Sequence, residues 1–156
     1  METVSIVMPA HNEGPRIHAN LHRVCATARA LLAGPWRDVV SSFEIIAVDD
    51  GSSDETWAEI QRAAHASLDI VPVQLEHNAG KGFALRQGLQ HARGSWVFFI
   101  DADLEIGPEH MAELADALRA NGVDGVLGSK RATEHHQRYP WYRRLVSVTY
   151  ALFTRM

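Results

Sequence analysis

Trp96-Val97-Phe98-Phe99-Ile100-Asp101-Ala102-Asp103 joins five consecutive apolar residues to an Asp-x-Asp pair. An unbroken apolar run of this length is expected of a central strand, buried on both faces of a parallel sheet. Successive side chains of an extended chain alternate, so residues i and i+2 point the same way. Asp101 and Asp103 are therefore expected to reach one site at the tip of that strand. Two carboxylates supply hard oxygen ligands of the kind Mg2+ or Mn2+ takes, and these ions also bind substrate phosphates. An Asp-x-Asp alone is equally a solvated turn; the strand before it gives the pair its weight.

Outward from this segment, apolar runs alternate with helical patterns. Val4-Ser-Ile-Val-Met8 reads as a first strand, stopped by Pro9. Ile17, Leu21, Val24, Ala28 and Leu31 recur every three or four residues, an amphipathic helix that Gly34-Pro35 ends. Phe43-Glu-Ile-Ile-Ala-Val48 reads as a second strand and runs into Asp49-Asp50-Gly51-Ser52-Ser53. A helix over 54–66 follows, with Asp54 or Ser53 as its cap. A third strand is expected at 70–75 and a helix at 81–92. Pro108 opens a helix over 108–120, Gly122 stops it, and 123–127 is expected to be a fifth strand. This alternation defines an α/β fold with a mostly parallel sheet and flanking helices. Ligands of such sheets bind beyond the carboxyl ends of the strands. The polar clusters at 10–13, 49–53, 78–82 and 101–105 all fall there.

Within those clusters the chemistry-bearing residues have competing structural roles. Asn12 and Glu13, just past Pro9, can contact a base or ribose, or Asn12 can cap the next helix. Asp49 and Asp50 can accept hydrogen bonds from a nucleoside, while Asp50, Ser52 or Ser53 caps a helix. Asn78-Ala-Gly-Lys-Gly82 is a glycine-rich turn into a helix, where Lys81 can meet phosphate. It is neither a Walker loop nor a GxGxxG turn. Arg86 follows on the same helix and can brace the site or pair with an acid. Lys130 and Arg131 come after the expected fifth strand and can reach the same edge. The histidines show no zinc-like spacing with cysteine, and no metal role is assigned to them.

Composition narrows the class. A chain of 156 residues is about one domain and can bury a core unaided. Cys25 is the sole cysteine, so no internal disulfide forms; it falls in the apolar helix pattern as core packing, in keeping with a reducing, cytosolic setting. No signal peptide is recognisable, and no apolar run reaches the length of a membrane-spanning helix. The net charge of −4 is unevenly spread: 9 Lys+Arg against 18 Asp+Glu over 1–129, then 6 against 1 over 130–156. Nucleic acid is not the expected partner, since a basic footprint would extend across the domain. The basic end carries Tyr139-Pro-Trp-Tyr-Arg-Arg144 and an apolar continuation. Such a helix suits a membrane interface, or packs on the rest of a longer protein.

Four ordered segments carry a family resemblance: Val4-Ser-Ile-Val-Met-Pro-Ala-His-Asn-Glu13, Ile46-Ala-Val-Asp-Asp-Gly-Ser-Ser-Asp54, Asn78-Ala-Gly-Lys-Gly-Phe-Ala-Leu-Arg-Gln-Gly88 and Asp101-Ala-Asp103. Together they resemble the family 2 glycosyltransferases, with their Rossmann-like GT-A fold. The Gly-Lys-Gly turn, Gly128-Ser-Lys-Arg131 and the Tyr-Pro-Trp-Tyr-Arg-Arg stretch look like the dolichyl- or polyprenyl-phosphate hexosyltransferases within it. The resemblance implies a donor domain over 1–131 and a basic aromatic segment over 132–156 at the cytoplasmic face of a membrane. It implies Pro9, Glu13, Asp49, Asp50 and Lys81 around the nucleotide. Asp101 and Asp103 would hold Mg2+ or Mn2+ and the diphosphate, and Arg131 would face phosphate as a third catalytic group. The donor would be UDP-glucose or GDP-mannose; the glucosyl branch is nearest, although Leu104-Glu-Ile106 departs from its pattern. The acceptor would be a polyprenyl or dolichyl phosphate, attacking with inversion. Relatives continue beyond the point matching Met156 with an acceptor-side acidic turn and more helices, so a truncated, binding-only fragment is the alternative expectation. A phosphatase places its Asp-x-Asp on the first strand, and a dehydrogenase needs GxGxxG there; neither pattern is present.

Overall fold

The computed structural model describes residues 1–128. Its elements run β1 (Glu2–Ala10), α1 (Gly14–Ala33), β2 (Val40–Asp49), α2 (Thr56–Ala66), β3 (Ile70–Gln74), α3 (Lys81–His91), β4 (Trp96–Phe99), a short 3-10 turn (Pro108–His110) and α4 (Met111–Asn121). The four strands form one sheet in the order β3-β2-β1-β4, and every pairing is parallel. A helix therefore crosses over between each pair of successive strands.

Strand alternation divides the core. Ile6 and Met8 of β1 and Ile45 and Ala47 of β2 face the layer that holds Ile17, Leu21, Val24 and Ala28 of α1 and Ile60 and Ala63 of α2. Val7, Ile46 and Val48 face the other way, towards Ala84 of α3. The apolar positions that marked α1 in the sequence are those it buries. On the α3 side the approach is so close that a Cβ on Gly88 would stand 2.3 Å from Val7 Cγ1. Glycine at that position lets α3 lie flat on β1 and β2.

Four sequence expectations are corrected. Pro9 does not stop β1, which pairs with β2 through Pro9↔Val48 and Ala10↔Asp49. Ile100 N–H donates to Val7 O, so Val7, and Pro9 two residues on, turn their hydrogen-bonding groups to the β4 side. The β4 ladder ends at Val7↔Phe99, and the N–H that proline lacks has no partner strand to serve. Second, among the described residues β4 lies at the edge of the sheet rather than within it: it pairs only with β1, and Phe99 is 56% exposed. Third, 123–127 is not a strand: it joins no ladder among the described residues, and Leu127 is exposed. Fourth, the helix expected from residue 108 is split: Pro108 begins the 3-10 turn, α4 starts at Met111, and Gly122 closes it in the left-handed conformation. The first compact unit of the chain is Met1–Val123.

Candidate functional site

The strand order reverses between β1 and β4. The chain steps outward from β1 to β2 to β3 and then returns to the far side of β1. The region beyond the carboxyl ends of the strands at such a reversal is the usual ligand position in open α/β sheets. A cavity of about 350 Å3 lies there, lined by Pro9, Ala10, His11, Glu13, Asp50, Asn78, Gly80, Lys81, Asp101, Ala102 and Asp103. Six of the residues singled out in the sequence are among them. Asp49 is not; it is fully buried, and the loop built on it carries Asp50. Arg131 and Lys130 lie outside the described residues, as does the 132–156 segment.

The loop after β1 is locked to the loop after β2. Asn12 has a φ of 55° and does not cap α1. Its Oδ1 accepts from Ser53 N–H at 3.0 Å, and its own N–H donates to Ser52 Oγ at 3.0 Å. The free N–H groups at the start of α1 are met from across the molecule instead. Thr56 Oγ1 accepts from Glu13 N–H at 2.7 Å, and Asp54 Oδ2 accepts from Gly14 N–H at 3.0 Å. The other oxygen of Asp54 accepts from Thr56 N–H at 3.0 Å and from its hydroxyl at 2.5 Å, at the start of α2. One carboxylate therefore serves two helix starts; at α2 it holds the N–H of Thr56, the first helical residue, while Glu55 rather than Asp54 or Ser53 occupies the N-cap position. The hydroxyl of Thr56 leads the bonds that hold the Asp54 carboxyl below its ordinary range. Glu13, so positioned, has an Oε2 without a hydrogen bond, although Arg16 Nη2 stands 3.1 Å away. The close charge offsets part of that atom's desolvation but lacks hydrogen-bond geometry.

In the loop after β2, Asp49 Oδ1 accepts from Ser52 N–H at 3.1 Å, and its buried Oδ2 has no partner. Asp50 Oδ1 accepts from Ala79 N–H at 2.9 Å, tying this loop to the one after β3. Gly51, at φ 59°, lies so near that third loop that a Cβ would come within 2.3 Å of the His77 carbonyl carbon. Here glycine serves both a left-handed turn and a close approach.

The Asp-x-Asp is not extended. Leu104 N–H donates to Asp101 O at 3.0 Å, closing a turn that buries Ala102 and leaves both carboxylates exposed at the cavity. A turn, rather than strand alternation, puts the two acids on one site. Leu104 holds a φ of 52°, rare for a large side chain, and Glu105 N–H returns to Asp103 Oδ1 at 3.0 Å. Lys81 Nζ meets Asp101 Oδ1 at 2.5 Å, bringing the first residue of α3 onto the acidic turn. Arg86 neither lines the cavity nor pairs with an acid among the described residues; its guanidinium lies 4.8 Å above the Phe83 ring.

Among the described residues no three acids, histidines or cysteines converge on one point. That donor set still fits Mg2+, which is usually bound through one or two carboxylates and completed by water and substrate phosphate. Asp103 would hold it through Oδ2, with Asp101 beside it. Two cavity residues escaped the sequence reading. His11 carried only a weak signal, its place between Pro9-Ala10 and Asn12-Glu13; Asn78 was visible only as part of a turn. Cys25 is buried as expected, and burial pushes its thiol up.

A parallel Rossmann-like sheet, a cavity at its reversal point and a dicarboxylate turn after β4 define the GT-A class of fold. The chain belongs to glycosyl transferase family 2, whose family model matches residues 5–155. Undecaprenyl-phosphate 4-deoxy-4-formamido-L-arabinose transferase of Sodalis glossinidius is 34% identical over 148 residues, covering 94% of this chain and 41% of that protein. The enzyme of the same name from Pseudomonas aeruginosa is 35% identical over 150 residues, covering 95% and 41%. Among solved structures, the mannosyltransferase of Pyrobaculum calidifontis in complex with GDP-Man and Mn2+ superposes with a TM-score of 0.60 at 28% identity, over 75% of this chain and 32% of that one. The chain spans less than half the length of these curated relatives.

Proposed function

We propose that this chain binds a nucleotide-diphosphate sugar in the cavity between β1 and β4, as the donor part of an inverting glycosyltransferase that delivers a hexose to a polyprenyl or dolichyl phosphate. The observation that carries it is the convergence of Pro9, Glu13, Asp50, Lys81, Asp101 and Asp103, from four loops, on one cavity of about 350 Å3. Glu13 brings a carboxylate, ion-paired with Arg16, to the cavity wall for nucleoside donors, and Asp50 keeps Oδ2 for the same task. Asp49 supports Asp50 from beneath. Lys81, at the start of α3, joins a side-chain cation to a helix end that favours anions, which suits a diphosphate. A bound Mg2+ or Mn2+ supplies charge neutralisation for the departing diphosphate.

The names of the curated relatives support a lipid phosphate as acceptor. A phosphate monoester is largely ionised at neutral pH, so its oxygen can attack the anomeric carbon without a strong general base. Arg131 is assigned to that phosphate, and the basic aromatic segment 132–156 to the cytoplasmic membrane surface. UDP-glucose and GDP-mannose are the first donors to try. The relatives' names add an L-arabinose derivative to the panel.

A second reading is donor binding without transfer. Calorimetry with UDP and GDP in Mn2+, followed by transfer of labelled sugar to polyprenyl phosphate, separates them. Transfer supports the first reading, and binding alone supports the second. Binding of neither nucleotide, with Asp103→Ala making no difference, sinks both.

A further inference from the structure

We infer that His11 is a positioning residue: its neutral ring, protonated at Nδ1, pins three loops together and thereby sets the donor cavity's shape. This rests on the donor-binding reading above. The ring stands at the meeting point of the loops after β1, β2 and β3. Its Nδ1 lies 2.9 Å from the carbonyl oxygen of Asp50, its Nε2 3.0 Å from Asn78 Nδ2 and 3.2 Å from Asn12 Nδ2.

The protonation pattern follows from the partners. A carbonyl only accepts, so Nδ1 must carry the proton. Nε2 faces two amide nitrogens, and the orientation of each amide is fixed independently. Gly80 N–H donates to Asn78 Oδ1 at 2.9 Å, and Ser53 N–H donates to Asn12 Oδ1 at 3.0 Å. Both amides must therefore turn their NH2 groups to His11, where each is a donor. Nε2 has to accept, which excludes both the other tautomer and the charged ring.

The network reaches the acidic turn. His11 holds Asn78, Asn78 holds Gly80 N–H, and Gly80 at φ 88° leads into α3. Lys81, the next residue, makes the ion pair with Asp101. Asp50 joins from the other side by holding Ala79 N–H. His11 thus links the nucleoside end of the cavity, at Asp50, with its phosphate end, at Lys81, through hydrogen bonds whose direction only an Nδ1–H imidazole satisfies.

Replacement separates this role from ring stacking against a ligand. His11→Phe keeps the flat ring and removes both nitrogens; His11→Gln loses the ring but keeps one donor and one acceptor. The measurements are calorimetric affinity for UDP and GDP with Mn2+, and long-range 1H–15N NMR of the imidazoles in the ligand-free protein, with His11→Gln identifying the His11 signals. The expected results are a fixed Nδ1–H tautomer, nucleotide affinity lowered roughly tenfold in His11→Phe, and recovery of most of that loss in His11→Gln. Asn78→Ala should weaken binding alone but add little in the His11→Phe background. An Nε2–H tautomer, wild-type affinity in His11→Phe, or fully additive losses overturns the inference. If the wild type binds neither nucleotide, the donor-binding reading fails, while the NMR result still decides the network.

Discussion

Replacing Asp54 by alanine removes the one group that satisfies both helix starts below the cavity. In the wild type, Asp54 Oδ2 serves Gly14 N–H at the head of α1, and Oδ1 serves Thr56 N–H at the head of α2. A lost cap costs about 1 kcal/mol, and here two are lost together. The Thr56 hydroxyl also loses its acceptor, which adds about 0.5–1 kcal/mol. Asp54→Ala should therefore destabilise the protein by about 2–3 kcal/mol, and Asp54→Asn, which keeps one acceptor oxygen, by about half that. Urea unfolding followed by tryptophan fluorescence reads this directly, because Trp36 is buried. With a typical m-value the midpoint should fall by roughly 1–2 M. The effect has a definite pH window. The folded-state pKa of Asp54 lies below its ordinary 3.8, so its contribution is complete above that value. It is lost as pH falls through the depressed folded value, and the gap between wild type and Asp54→Ala should narrow there. A neutral-pH difference under about 0.5 kcal/mol, the level of an ordinary surface substitution, would refute the double-cap account.

Asp103→Ala should remove the Mn2+-dependent part of nucleotide binding, roughly a tenfold to hundredfold loss by calorimetry, with little change in the urea midpoint because the side chain is exposed. Gly51→Ala forces a Cβ against the backbone of His77 and Asn78 at a φ of 59°; a loss of about 1–3 kcal/mol is expected in urea, with weaker nucleotide binding as the third loop is displaced. Cys25 should resist a thiol reagent at pH 8 in the folded protein and react promptly in urea, since burial both shields the thiol and raises its pKa above 9.0. Prompt labelling of the native protein would contradict the packing of α1.

Much of the architecture is local and hence legible in the chain. The three- and four-residue recurrence from Ile17 to Leu31 names the face that α1 buries, because a helix repeats every 3.6 residues whatever lies opposite it. The position of the site was legible for a similar reason: parallel strands joined by crossover helices send all their carboxyl ends to one edge, so polar residues after successive strands must collect there. Lys81 and the two acids of the β4 loop needed no more than that.

What the tertiary structure decided concerns partners distant along the chain. Five apolar residues in a row say that a strand is greasy, but the ladders place β4 beside β1 with no second partner among the described residues. Pro9 looks like a stop until the ladder shows which side its missing N–H faces. Asn12, a plausible cap by its place before α1, instead bonds across to Ser52 and Ser53, while Asp54 caps α1 from forty residues away. His11 gains a fixed tautomer only because Asp50 and Asn78 are carried to it by other strands. A sequence pattern records the period and burial of one element at a time. The direction of a hydrogen bond between two loops is set by the three-dimensional register of the strands beneath them.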